Sequence, residues 1–123
     1  MAGTFNFVGD QAVEQGATGI WSFTVYEGEV VDPDDLLDLS GYIIRMMVRK
    51  TAASSTVIFQ ASTLDGRIVL DGPNGRFTLT ITAALSATLP AGEYVHQIEL
   101  DNGAGSVQRL LQGTFVVDAE VVR

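Results

Sequence analysis

The sequence predicts an all-β protein: an immunoglobulin-like antiparallel β-sandwich of about seven or eight strands, with one short helical crossover near residues 83–88. Three observations carry that prediction. Apolar and polar residues alternate with a period of two in one segment after another. Glycine-bearing turns separate those segments at the spacing of sandwiches and barrels. An alanine-leucine step interrupts the alternation once, shortly before the tyrosine that opens the next strand. With 123 residues the chain fits one domain, 1–123, and a domain of that size buries roughly two-thirds of the surface its unfolded chain exposes.

Taken in order, GTFNFV is a short first strand. GIWSFTVYEG follows with Trp21, Phe23 and Val25 on one face and Ser22, Thr24 and Tyr26 on the other, the pattern of a half-buried strand. GYIIRMMVRK places Tyr42, Ile44, Met46 and Val48 on one face and Ile43, Arg45, Met47 and Arg49 on the other. That second face is apolar for a solvent face. Either another part of the chain covers it or a partner does, and both readings stay open. TVIFQAS alternates through Val57, Phe59 and Ala61.

RIVLDGPNGRFTLTIT reads as a hairpin, with Ile68 and Leu70 before the turn, Phe77, Leu79 and Ile81 after it, and Asn74-Gly75 favourable for positive φ. Thr82 is a helix N-cap, Ala83 to Thr88 tolerate a helix, and Pro90 discourages its continuation. Leu85 and Leu89, four apart, share a helical face and plug the end of the core where the chain crosses between sheets. Tyr94 then stands where immunoglobulin-like folds place a tyrosine corner. YVHQIEL and SVQRLLQGTFVV form a second hairpin around a DNGAG tip.

Composition narrows the function. Fifteen acidic residues stand against seven basic ones, a net charge of −8, which disfavours binding to nucleic-acid phosphates or to an anionic membrane. The absence of cysteine excludes disulfides and thiolate metal sites. No apolar run approaches the roughly 20 residues of a membrane-spanning helix, and no export signal is visible at MAGTFNFVGD.

The candidate chemical sites are weak. DPDDLLDLSG gathers Asp32, Asp34, Asp35 and Asp38 but lacks the spacing and terminal glutamate of a calcium loop. It reads instead as a capped turn, with Asp32 before Pro33 at a helix start. His96, the sole imidazole, shares a strand face with Tyr94, Ile98 and Leu100 and reads as a hydrogen-bonded histidine at the core margin. Glu27 and Glu29 at a strand end read as solvated, and the glycines of DNGAGS as turn residues. No nucleophile elbow, zinc-protease motif, P-loop or dinucleotide fingerprint occurs. No enzymatic activity, cofactor or metal is expected.

The segments EQGATGIWSFTV, DLSGYIIRMMVRK, DGRIVLDGPNGRFTLTIT, AALSATLPAGEYVHQIEL and RLLQGTFVVDAEVVR, in that order and spacing, span nearly the whole chain. Together they resemble small tailed-phage virion proteins, similar to the N-terminal immunoglobulin-like domain of phage upper baseplate proteins. The resemblance implies a non-enzymatic virion structural protein, a tail/baseplate or tail-fibre attachment adaptor, assembled in the host bacterial cytoplasm. It also implies multiple symmetry-related copies docked to other virion proteins. Larger members continue into a receptor-binding or fibre-anchoring region whereas this sequence stops at VVR, which favours docking over host recognition.

The contact regions expected from these readings are Ile43, Arg45, Met47 and Arg49, the tip residues Asn102 and Gly103, and the C-terminal Val121, Val122 and Arg123. A head decoration or head-tail connector component is the alternative within the same class. A host-surface carbohydrate-binding module, stacking sugar on Trp21, is the alternative outside it.

Overall fold

A computed structural model describes residues 3–27 and 36–121. Its strands are β1 (Gly3–Thr4), β2 (Val13–Glu14), β3 (Gly19–Thr24), β4 (Ile43–Arg49), β5 (Val57–Ser62), β6 (Ile68–Asp71), β7 (Arg76–Ile81), β8 (Gly92–Asp101) and β9 (Val107–Asp118), with one α-helix, α1 (Ala83–Ser86), between β7 and β8. They form two sheets. The larger has the order β1-β9-β8-β4-β5 with β2 also on β9, and the smaller the order β3-β7-β6. The expected sandwich is borne out, and the strand order is that of an immunoglobulin-like domain whose fourth long strand, β5, extends the larger sheet.

The pleat explains which residues meet. Along β4 burial alternates strictly: Ile44, Met46 and Val48 are sealed inside while Arg45 and Met47 face out. Trp21 and Val25 from the β3 segment, Phe59 and Ala61 from β5, Ile68 from β6, Phe77, Leu79 and Ile81 from β7, and Tyr94, Ile98 and Leu100 from β8 close over the same interior. Phe7 lies at its centre, fully buried, with ring centroids 4.8 Å from Phe5, 5.4 Å from Trp21, 5.1 Å from Phe115 and 4.8 Å from His96. Edge-to-face geometry with Phe5, Trp21 and His96 suits the aromatic quadrupoles.

Two sequence expectations are corrected. The first segment does not pair antiparallel: β1, Phe7 and β2 all run parallel to β9. Parallel neighbours need a long connection rather than a tight turn, and here nearly the whole chain separates the two. The close approach depends on Gly113, where a Cβ would collide with the carbonyl oxygen of Phe5 and the side chain of Asn6. The helix is also shorter than residues 83–88. It ends at Ser86, after which Thr88 N–H donates to Leu85 and Leu89 N–H to Ser86 in i→i+3 bonds.

The crossover otherwise works as the sequence implies. Thr82 Oγ1 accepts from Leu85 N–H at 3.3 Å and caps the helix. Leu89 is buried in the core and Leu85 packs partly against it. Ser86, wholly buried, donates to Ala17 O at 2.9 Å and accepts from Gly16 N–H at 3.0 Å, tying the helix to the turn before β3. Between β6 and β7, a 3-10 turn over Gly72–Asn74 ends at Gly75 with φ 62°, so the left-handed residue falls where the Asn-Gly pair placed it.

A candidate docking face on the larger sheet

The register of the larger sheet fixes what its outer face presents. Arg45 on β4 stands opposite Glu99 on β8, which stands opposite Arg109 on β9. One row along are Met47, Gln97 and Gln112, with Gln60 of β5 beside Met47. The next row holds Arg49, Val95 and Thr114. Met47 is 42% and Val95 39% exposed. Among the described residues these two side chains are open to solvent, while Arg49, Gln97 and Glu99 beside them are partly covered.

The face is concave. A hollow of about 640 Å³ is lined among others by Met47, Val95 and Leu64, the last 70% exposed, by the arginines Arg45 and Arg49, and by the acidic Asp65 and Glu99. Apolar atoms at the centre and arginine at the edge are the composition of protein interfaces.

The two arginines are held differently. Arg45 Nη1 lies 2.9 Å from Asp101 Oδ2, the sole ion pair among the described residues. That guanidinium, then the Gly103 N–H bonded to Oδ1, hold the Asp101 carboxyl below the usual carboxylate range. Arg49 donates to the Ser54 carbonyl at 2.9 Å and to Met47 Sδ at 3.4 Å, both uncharged, and makes no direct ion pair among the described residues, although Asp65 and Glu99 line the same hollow.

The sequence-predicted contact residues are only partly brought together. Ile43 sits opposite Asp101 at the end of β8, so the Arg45–Asp101 pair joins the β4 face to the hairpin tip. Within the tip, Asn102 Oδ1 accepts from Ala104 N–H at 2.8 Å and Ser106 N–H at 3.2 Å, and Gly103 has φ 79°. These residues are therefore engaged in building their own turn. Val121 is 86% exposed just beyond the far end of β9, away from the tip. Val122 and Arg123 lie outside the described residues.

Other candidates are placed elsewhere. Trp21 is 7% exposed and its Nε1 donates to Gln11 O at 3.1 Å, so its ring is not offered to a sugar. Asp38 Oδ1 accepts from Ser40 N–H at 2.9 Å, and hydrogen bonding by Ser40 lowers its carboxyl pKa. Asp32, Asp34, Asp35 and the expected helix start at Pro33 lie outside the described residues, as does Glu29, while Glu27 is exposed. Among the described residues no three acidic or histidine side chains gather as metal ligands.

His96 differs from its sequence reading in one respect. It is buried, 2% exposed, and Nε2 lies 2.6 Å from Phe5 O, but Nδ1 has no partner. Burial pushes its pKa below the ordinary value, against a smaller opposing effect of the Phe5 carbonyl. Its one hydrogen-bond partner, a backbone carbonyl, is not a nucleophile.

No protein-family model matches the chain, and no curated protein matches it.

Proposed function

We propose that this protein is a non-enzymatic structural component of a tailed-phage virion, a tail or baseplate adaptor that docks to neighbouring virion proteins through the outer face of its larger sheet. The observation that carries the docking reading is the hollow in which exposed Met47 and Val95 lie beside Arg49, whose guanidinium bonds only uncharged groups and makes no direct ion pair among the described residues. A partner segment that brings apolar atoms and a carboxylate to this site fills the hollow and neutralises the guanidinium, a charge-assisted contact stronger than a neutral hydrogen bond.

The viral setting is supported by the ordered resemblance of the strand and turn segments described above. In such a particle the adaptor is present in several symmetry-related copies, and repeated contacts add avidity to modest individual ones. Mass spectrometry of purified tails separated from heads tests the setting: the protein is expected in the tail fraction. Recovery from heads alone overturns the tail assignment in favour of a head decoration or connector.

A further inference from the structure

The unexplained polar group in the core is His96, whose single bond reaches 91 positions back along the chain to Phe5. A carbonyl oxygen only accepts, so Nε2 carries the proton and the neutral ring leaves Nδ1 as a bare lone pair in the interior. Protonation would add a buried charge and a second N–H with no acceptor. Its register neighbours are Val48 of β4 and Gly113 of β9, and the Phe5 carbonyl and the Phe7 ring lie against the imidazole, none of them titratable or charged. On β8 itself the nearest acids, Glu93 and Glu99, project to the outer face, and Lys50 sits with its ammonium over the Tyr94 ring.

The segment that supplies the carbonyl is held in two unequal parts. Residues 3–6 are bound by Phe5 N–H to Gln112 O at 3.1 Å, by Asn6 Oδ1 accepting from Thr114 N–H at 2.9 Å, and by His96. Gly3, Thr4 and Asn6 are exposed, while Phe5 is partly buried, its ring edge-on to Phe7 at 4.8 Å and to Phe23 at 5.0 Å at the margin of the core. Phe7 is the anchor beyond them, fully buried, donating to Thr114 O at 2.8 Å and accepting from Val116 N–H at 2.9 Å.

We propose that His96 is an acid-sensitive latch on the N-terminal strand: when the imidazole takes up a proton, residues 3–6 swing off β9 as a unit while Phe7 and both sheets stay in place. Lifting the Phe5 carbonyl opens a route by which water reaches both ring nitrogens, which relieves the buried charge at the cost of the Phe5 ring's contacts with Phe7 and Phe23 and leaves the rest of the core packed. The movement uncovers the edge of β9 that Gly3 and Thr4 occupy, at Leu111 and Gln112, leaving backbone groups there free to pair with another strand.

Amide exchange measured by NMR on the full chain, from about pH 7.5 to about pH 4.5, tests the latch alongside the ring-proton titration of His96. Protection at Phe5 and Thr114 should fall by about tenfold or more in step with His96 protonation, with Phe7 and Val116 holding theirs. Loss of protection at all four together, or no change at Phe5 while the ring titrates, overturns the proposal. His96→Gln keeps a donor for the Phe5 carbonyl and removes the titration, so its Phe5 protection should not depend on pH, and a drop like that of the native chain would contradict the latch. Should that variant fail to fold, the native-chain titration decides alone.

Discussion

The hydroxyl of Tyr94 donates to the carbonyl oxygen of Pro90 at 2.7 Å, four residues upstream. The tyrosine is 5% exposed, so its ring belongs to the core while its oxygen closes the loop that carries the chain from the small sheet to the large one. This is the tyrosine corner of an immunoglobulin-like sandwich.

Tyr94→Phe removes that hydroxyl and keeps the ring. It is expected to cost about 1 kcal/mol, which for a domain of this size lowers Tm by roughly 3–6 °C. Thermal unfolding followed by circular dichroism checks it, and an unchanged Tm would mean the hydrogen bond contributes nothing net.

Gly75→Ala meets two obstacles at once. The residue has φ 62°, and an added Cβ would stand 2.7 Å from Leu37 O and 2.9 Å from Val25 O. Backbone strain alone is worth about 1–2 kcal/mol, and the collision adds to it. Urea denaturation should show a loss of about 2 kcal/mol or more with little change in slope. Gly66→Ala, also at positive φ but with open space around the new methyl, should lose less.

The pH dependence of stability follows from His96. Its folded-state pKa lies below its ordinary value of about 6.5, so the unfolded chain binds the proton more readily. Stability is therefore full above about pH 6.5 and falls as the pH drops from there toward the folded-state value. The depressed carboxyls of Asp38 and Asp101 act lower, below their ordinary value of 3.8, so the two effects separate along the pH axis. Urea midpoints measured across this range should slope downward for the native chain and stay flat for His96→Gln above the carboxylate range.

Much of this was legible in the sequence, for a physical reason. A sheet buried on one side imposes a period of two, so Met46 and Met47, chemically identical neighbours, are read as inside and outside from their positions alone, and their exposures are 1% and 42%. Thr82, Pro90 and Asn74-Gly75 were equally readable because caps and turns act through local backbone chemistry. What stayed hidden depends on contacts distant along the chain. Nothing near Gly3 signals a parallel partner at Leu111, and nothing near Gly113 signals that its missing side chain makes room for Phe5. The bond from His96 to Phe5, the burial of Ser86 against Gly16 and Ala17, and the Arg45–Asp101 pair are of the same kind. The β8–β9 register shift between Ile98 and Glu99 likewise leaves no local mark, although it sets Arg109 opposite Glu99.

The docking face can be tested directly through that methionine pair. Met47→Asp should leave the fold within about 0.5 kcal/mol of the native chain, since an exposed strand position tolerates a polar residue, and should weaken incorporation into particles. The most direct measurement is peroxide footprinting, with mass spectrometry of Met46 and Met47 in the free protein and in assembled particles. In the free protein Met47 should oxidise readily and Met46 hardly at all, as their exposures require. Protection of Met47 on assembly is the predicted result; equal oxidation of Met47 in the free and assembled states would contradict docking through this face.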